Sequence, residues 1–246
     1  MMLDHISLFI FLMICVAPSF AVQGGIALAL AGKESVTIAV DSRMSSPGTG
    51  NLFLGNKPRG VYRIGSHTLV ACVGMYSVYS PLKLHLLSYH IILSLNLWLV
   101  LIGLDVHALK LMNDLRQKLH LEVEEDLEPE NVCRLVSDLM YTSQYLCTPV
   151  IAGVSSDGKP YLCSMDGLGA QTISSTFVAT GSSISTLLAS CEDMYVPNQN
   201  PVSLLEMSRR IIKKSLQRDV LSGSQIYSFT MSKGSIYRKL MALPDV

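Results

Sequence analysis

Between residues 150 and 165 the chain reads as an apolar run, a tight turn and a second apolar run: Val150 to Val154, Ser156-Asp157-Gly158, then Tyr161 to Met165. Asp-Gly supplies the positive φ that a short hairpin requires, so this stretch commits the middle of the chain to antiparallel sheet. Gly25 to Leu30 and Val36 to Asp41 form a second such pair, joined by Ala31-Gly32-Lys33-Glu34-Ser35. Thr68 to Val73 follows Gly65-Ser66 and is expected to join that pair in one antiparallel sheet near the start. Thr176 to Thr180 reads as a further strand, and Gln225 to Met231 and Ser235 to Met241 as two last ones around Ser232-Lys233-Gly234.

Helical spacing fills the intervals. Ala108, Met112, Leu115 and Leu119 recur on one face while Lys110, Asp114, Arg116 and Lys118 point elsewhere, with Asp105 placed to cap the first turn. After Pro129, Val132, Leu135, Val136, Leu139 and Ser143 mark a second helix, expected to stop at Pro149. A third runs from Ser182 to near Tyr195. Asn200-Pro201 starts the last, an N-cap side chain before a proline at the first helical position, with Leu204, Ser208, Ile211, Ser215 and Leu216 facing inward. Strands, two helices, strands, two helices and strands predict an α+β domain of two sheets stacked between helical layers, with no internal linker. At 246 residues one large domain is the simpler expectation.

Nineteen basic residues balance nineteen acidic ones, which removes the charge surplus a nucleic-acid binder needs. Cys15, Cys72, Cys133, Cys147, Cys163 and Cys191 form no CxxC pair and read as buried free thiols. The histidines show no ligand spacing, so neither a metal nor a cofactor is expected.

Hydrophobic residues make up 49% of the chain and charged ones 15%, a greasy balance that two segments explain in part. Residues 1–21 have an apolar centre and small residues at Ser19-Phe20-Ala21, yet only Asp4 and His5 precede the run, against the positive charge of a secretory leader. Leu84 to Leu104 is long enough to cross a bilayer, but His85, Ser88, His90, Ser94 and Asn96 interrupt it and no basic cluster flanks it. Membrane association is therefore not expected.

Four stretches carry a family resemblance: GGIALALAGKESVTIAVDSRM (24–44), TPVIAGVSSDGKPYLCSMD (148–166), ASCEDMYVPN (189–198) and RDVLSG (218–223). They resemble, in the same order, segments of proteasome beta subunits, with the type 3 branch most similar. The resemblance covers about Val22 to Ser77 and resumes at Asp105. It implies a four-layer αββα sandwich of the N-terminal-nucleophile hydrolase class, set among other beta subunits and an alpha ring in a twenty-eight-subunit hetero-oligomeric core that degrades proteins, in cytoplasm and nucleus.

Active members of that family attack with an N-terminal threonine, whose hydroxyl and free amine must share one residue. Counting back from Asp41, which matches the aspartate of the second-strand motif, Gly25 stands in the threonine's place. Asp219 and Ser222 match positions that hold the terminal amine, and Ser182 matches the serine of the neighbouring turn; structural use is the favoured role for all three. The catalytic lysine falls on Lys57 by ungapped counting, but on Gly60 when anchored at Val61 to Gly65. The expectation is a non-catalytic, ring-building subunit. A self-processing peptidase using Ser35, Thr37 or Ser42 would have to cut inside or beside strands, and a membrane-anchored or secreted relative of the fold is the other alternative. The resemblance also leaves residues 1–21 as an apolar leader or misplaced start, and about 78–104 as an insertion in a domain spanning 22–246.

Overall fold

The computed structural model describes residues 25–41, 43–46, 52–56, 60–73, 106–122, 127–143, 145, 147–217, 225–233 and 235–242. In chain order these form β1 (Ile26–Ala31), β2 (Ser35–Asp41), β3 (Arg43–Ser46), β4 (Leu52–Asn56), β5 (Val61–Ile64) and β6 (Thr68–Val73). Helices α1 (Val106–Glu122) and α2 (Pro129–Ser143) follow, then β7 (Thr148–Val154), β8 (Pro160–Met165), β9 (Gln171–Ser174) and β10 (Phe177–Gly181). Helices α3 (Ile184–Met194) and α4 (Pro201–Leu216) and strands β11 (Gln225–Ser232) and β12 (Ser235–Ala242) complete the set.

One five-stranded sheet has the order β10-β1-β2-β11-β12 and the other β5-β6-β7-β8-β9, with β3 and β4 in a separate two-stranded ladder. Period-two alternation decides what each strand feeds. On β1, Ala27, Ala29 and Ala31 point between the sheets while Ile26, Leu28 and Leu30 point toward α3 and α4. On β7, Val150, Ala152 and Val154 face the first sheet, and Ile151 faces the core beneath α1 and α2. The buried side chains thus divide into three cores: helices α1 and α2 on the second sheet, sheet on sheet, and helices α3 and α4 on the first sheet. That is the four-layer αββα sandwich. Both faces of both sheets are covered, which is why β1 and β2 are buried along their whole length.

Local signals match their sequence reading at several points. Gly158 takes φ +86 in the β7–β8 turn, closed by the Gly158 amide donating to the Ser155 carbonyl at 2.8 Å. Asn200 caps α4, its side-chain oxygen accepting from the Ser203 amide at 2.8 Å, with Pro201 next in line.

Three expectations are corrected. Thr68–Val73 does not join β1 and β2: both edges of that pair are taken, by β10 and β11, and β6 pairs instead with β5 and β7 in the other sheet. Pro149 does not stop α2, which ends at Ser143; the proline lies within β7 opposite Cys72. The third helix begins at Ile184 rather than Ser182, with Ser183 at its N-cap making no side-chain capping bond. Asp105, the leader at 1–21 and the segment 78–104 lie outside the described residues. Among the described residues, no helix is long and apolar enough to cross a membrane.

Candidate functional site

The start of β1, the end of β2 and the end of β10 converge at one end of the first sheet. Antiparallel pairing sets Ile26 opposite Gly181, while Ala27 opposite Val40 brings the following Asp41 beside the first residues of β1. Three of the residues singled out by sequence, Gly25, Asp41 and Ser182, therefore meet.

Two backbone amides help to tie them together. The Ile26 amide donates to Asp41 Oδ1 at 2.9 Å, and Asp41 is completely buried, so the carboxylate anchors the first residue of the strand. The Ser182 amide donates to the Gly25 carbonyl at 3.0 Å, tying the turn after β10 to the residue ahead of β1. Gly25 has φ +102 and Gly181 has φ +125, both in the region that side-chain-bearing residues avoid. A Cβ on Gly181 would lie 2.2 Å from the Gly25 carbonyl oxygen and 2.7 Å from Ile26 Cα. The two backbones approach this closely because Gly181 carries no side chain.

Chemically this corner offers main-chain donors and acceptors, the Ser182 hydroxyl and one buried carboxylate. Gly25 brings neither hydroxyl nor thiol. Lys57, Asp219 and Ser222 lie outside the described residues. Sequence reasoning found Gly25 and Asp41 but passed over Gly181 as anything more than the residue before Ser182. Its signal was a glycine at the end of an apolar strand, which identifies a tight approach only once the partner strand is known.

A hydroxyl chain ties the two sheets nearby. Thr180 donates to Thr148 Oγ1 at 3.0 Å, and Thr148 donates onward to the Val73 carbonyl at 2.5 Å. Thr180 is the last residue but one of the first sheet's edge strand and Thr148 starts β7 of the second, so these bonds fix the sheets at the end that carries Gly25 and Asp41.

Two buried sheets face to face between two helical layers are the architecture of the N-terminal-nucleophile hydrolases. The chain belongs to the proteasome subunit family, whose model matches residues 89–231, a stretch beginning inside the apolar segment 78–104. It is similar to the rice protein called proteasome subunit beta type-3, 39% identical over 134 residues, which are 52% of this chain and 66% of that protein. The Picea mariana protein of the same name is 35% identical over 141 residues, covering 56% of this chain and 69% of the relative. The chain thus spans about two thirds of those plant relatives. With the budding yeast proteasome subunit beta type-3, identity is 26% over 228 residues, 91% of this chain and 96% of that protein.

Proposed function

We propose that this chain is a non-catalytic beta subunit of a proteasome core, contributing to the assembly of a beta ring rather than cutting peptide bonds. The observation that carries the reading is Gly25, which stands where the family's nucleophile is expected. Its carbonyl and the neighbouring Ile26 amide are engaged by Ser182 and Asp41.

Ring assembly is supported by the apolar side chains that a single chain leaves in water. Tyr141 is 78% exposed, Val202 77%, Leu168 66% and Tyr237 60%. Scattered over both helical layers, the β8–β9 turn and β12, they fit a subunit packed on several sides by other beta subunits and an alpha ring. Ser35 and Thr37, hydroxyls that a displaced self-cleavage would need, are at most 1% exposed within β2, and cutting there would break the first hairpin. On this reading the protein acts in the cytoplasm and nucleus, and the domain spans 22–246.

Native mass spectrometry of the endogenous protein tests the assembly. The expected result is the chain within a particle of several hundred kilodaltons together with other beta-type and alpha-type subunits. Recovery of the whole cellular pool as a stable monomer, or as a carbonate-resistant membrane protein, contradicts it.

A further inference from the structure

The connection between α3 and α4 is pinned at three points. The Tyr195 hydroxyl donates to the Ala31 carbonyl at 2.9 Å, the Val196 amide donates to Met207 Sδ at 3.3 Å, and the Gln199 carbonyl accepts from the Lys33 amide at 3.1 Å. At the outer two pins the acceptor is a main-chain carbonyl. At the middle one it is a thioether, a weak acceptor and the one of the three that oxidation can alter.

Met207 can also be reached from solvent. With Met194, Val196, Ser203, Glu206 and Arg210 it lines an open groove of about 320 Å³ between the end of α3 and the first half of α4. Burial separates these sulfurs from the others. Among the described side chains, Met112, Met140, Met165 and Met231 are at most 3% exposed, whereas Met194 and Met207 are half-buried. A small oxidant in water therefore meets the two groove sulfurs first.

We propose that Met207 is a modification site, oxidised by hydrogen peroxide to its sulfoxide, and that the change unfastens the loop between α3 and α4. Sulfur carries two lone pairs, of which the Val196 amide takes one and leaves the other for a peroxide entering the groove. That lone pair attacks one peroxide oxygen and the O–O bond breaks. The departing hydroxide removes the proton left on the transferred oxygen and leaves as water, so sulfur loses the two electrons that peroxide gains.

The product is a different partner for the loop. A sulfoxide sulfur bears partial positive charge and stops accepting from the Val196 amide, while its new oxygen is drawn to water and to the Arg210 guanidinium that also lines the groove. Residues 196–198 are then left between the Tyr195 and Gln199 pins. Asn198 holds φ +58, a left-handed conformation that its surroundings must maintain, so this short run is the part that loosens. The site involves none of the residues around Gly25 and stands whether or not the chain is catalytic.

The test treats the full chain, in the particle from which it is purified, with graded hydrogen peroxide and follows peptide masses and amide hydrogen exchange. Met207 should be oxidised about tenfold or more faster than Met112, Met140, Met165 and Met231, and exchange at Val196 should then quicken by roughly fivefold. Sulfoxide reductases of both stereospecificities, supplied with a dithiol, should reverse both changes. Met207→Leu keeps the apolar bulk without the sulfur, so Val196 should exchange fast from the start and ignore peroxide. Met194→Leu should leave the whole response in place. The proposal is overturned if Met207 stays reduced or reacts no faster than the buried methionines. It is equally overturned if the sulfoxide forms while Val196 exchange is unchanged, or if Met194→Leu abolishes the response, which would make Met194 the reacting sulfur.

Discussion

The two outer cores of the sandwich solve the same packing problem with different chemistry. Beneath α1 and α2, Leu111, Met112, Leu115, Val136, Met140 and Ile151 pack with four thiols, Cys72, Cys133, Cys147 and Cys163. Beneath α4, the first sheet presents hydroxyls: Thr37 and Thr230 bond to each other across β2 and β11 at 2.8 Å, while Ser215 on the helix and Ser228 on β11 have no partner among the described residues. Thiols are weak hydrogen-bonding groups and enter apolar cores at little cost, whereas an unpaired hydroxyl pays its full desolvation. Small side chains at Ser35, Thr37, Ala39, Ser228 and Thr230 present a low surface to α4. The polar seam they form ends at Asp41, the carboxylate that fixes the start of β1. Both cores leave hydroxyls without a partner among the described residues, Thr68 and Tyr161 on the thiol side and Ser215 and Ser228 on the other, so the difference lies in the thiols and in the polar seam that leads to Asp41.

The ionisation behaviour follows the same division. The Cys72 thiol is pushed up by hydrogen bonding to Cys147 and by burial, and Cys163 is pushed up by its bond to Cys133 and by burial. Cys133, receiving that bond, is lowered. Cys191 on α3 is raised to about 12, by burial first and then by Glu192. All five cysteines among the described residues are buried and free, as packing elements should be.

The comparison can be broken or sharpened by substitution, and the largest effect is expected at the site. Gly181→Ala forces a Cβ against backbone at positive φ and should cost about 4 kcal/mol or more in urea denaturation. A cost under about 1 kcal/mol would show that the β1–β10 contact is looser than described. Next, the two cores should respond with opposite signs. Val136→Thr plants a hydroxyl among apolar side chains and should destabilise by about 2 kcal/mol, whereas Ser228→Ala removes an unpaired one and should stabilise by about 1 kcal/mol. Equal signs would erase the distinction drawn here. Thr230→Val should cost about 1 kcal/mol by stranding the Thr37 hydroxyl, and adding Thr37→Val should restore most of the loss.

The smallest effect concerns pH. Glu128 accepts from the Ser156 amide at 3.2 Å, and hydrogen bonding to Ser156 holds its carboxyl below the ordinary value of 4.5. A carboxylate lowered on folding adds stability that is complete above that ordinary value and fades as pH falls through the lowered one. Glu128→Gln should therefore lower the melting temperature slightly at neutral pH and leave it unchanged at strongly acid pH, flattening the acid limb of the profile below about pH 4.5.

The layered fold was legible in the sequence because its long elements announce themselves. The Asp157-Gly158 turn, the Asn200-Pro201 cap and the helical stripe through Leu204 and Ile211 each encode a local structure that tertiary packing had no reason to override. Sheet membership was not legible. Val70 and Ile38 are equally apolar and equally buried, and only long-range pairing assigns β6 and β2 to different sheets. The short strands β3, β4, β5 and β9 were missed for a related reason: four or five residues are too few to display a period. At the site, Gly25 was found through its distance from Asp41 along two regular strands, where spacing survives. Gly181 was not, because its meaning depends on a strand 155 residues away in sequence from Ile26.

The account rests on the absence of an attacking group at Gly25, and a covalent active-site probe addresses it directly. Purified particles containing this chain should be treated with an epoxyketone that captures a terminal hydroxyl and its amine together, then analysed by peptide mapping. The neighbouring catalytic subunits should carry the adduct while this polypeptide remains unmodified. An adduct on a newly exposed N-terminal residue of this chain would contradict the non-catalytic assignment.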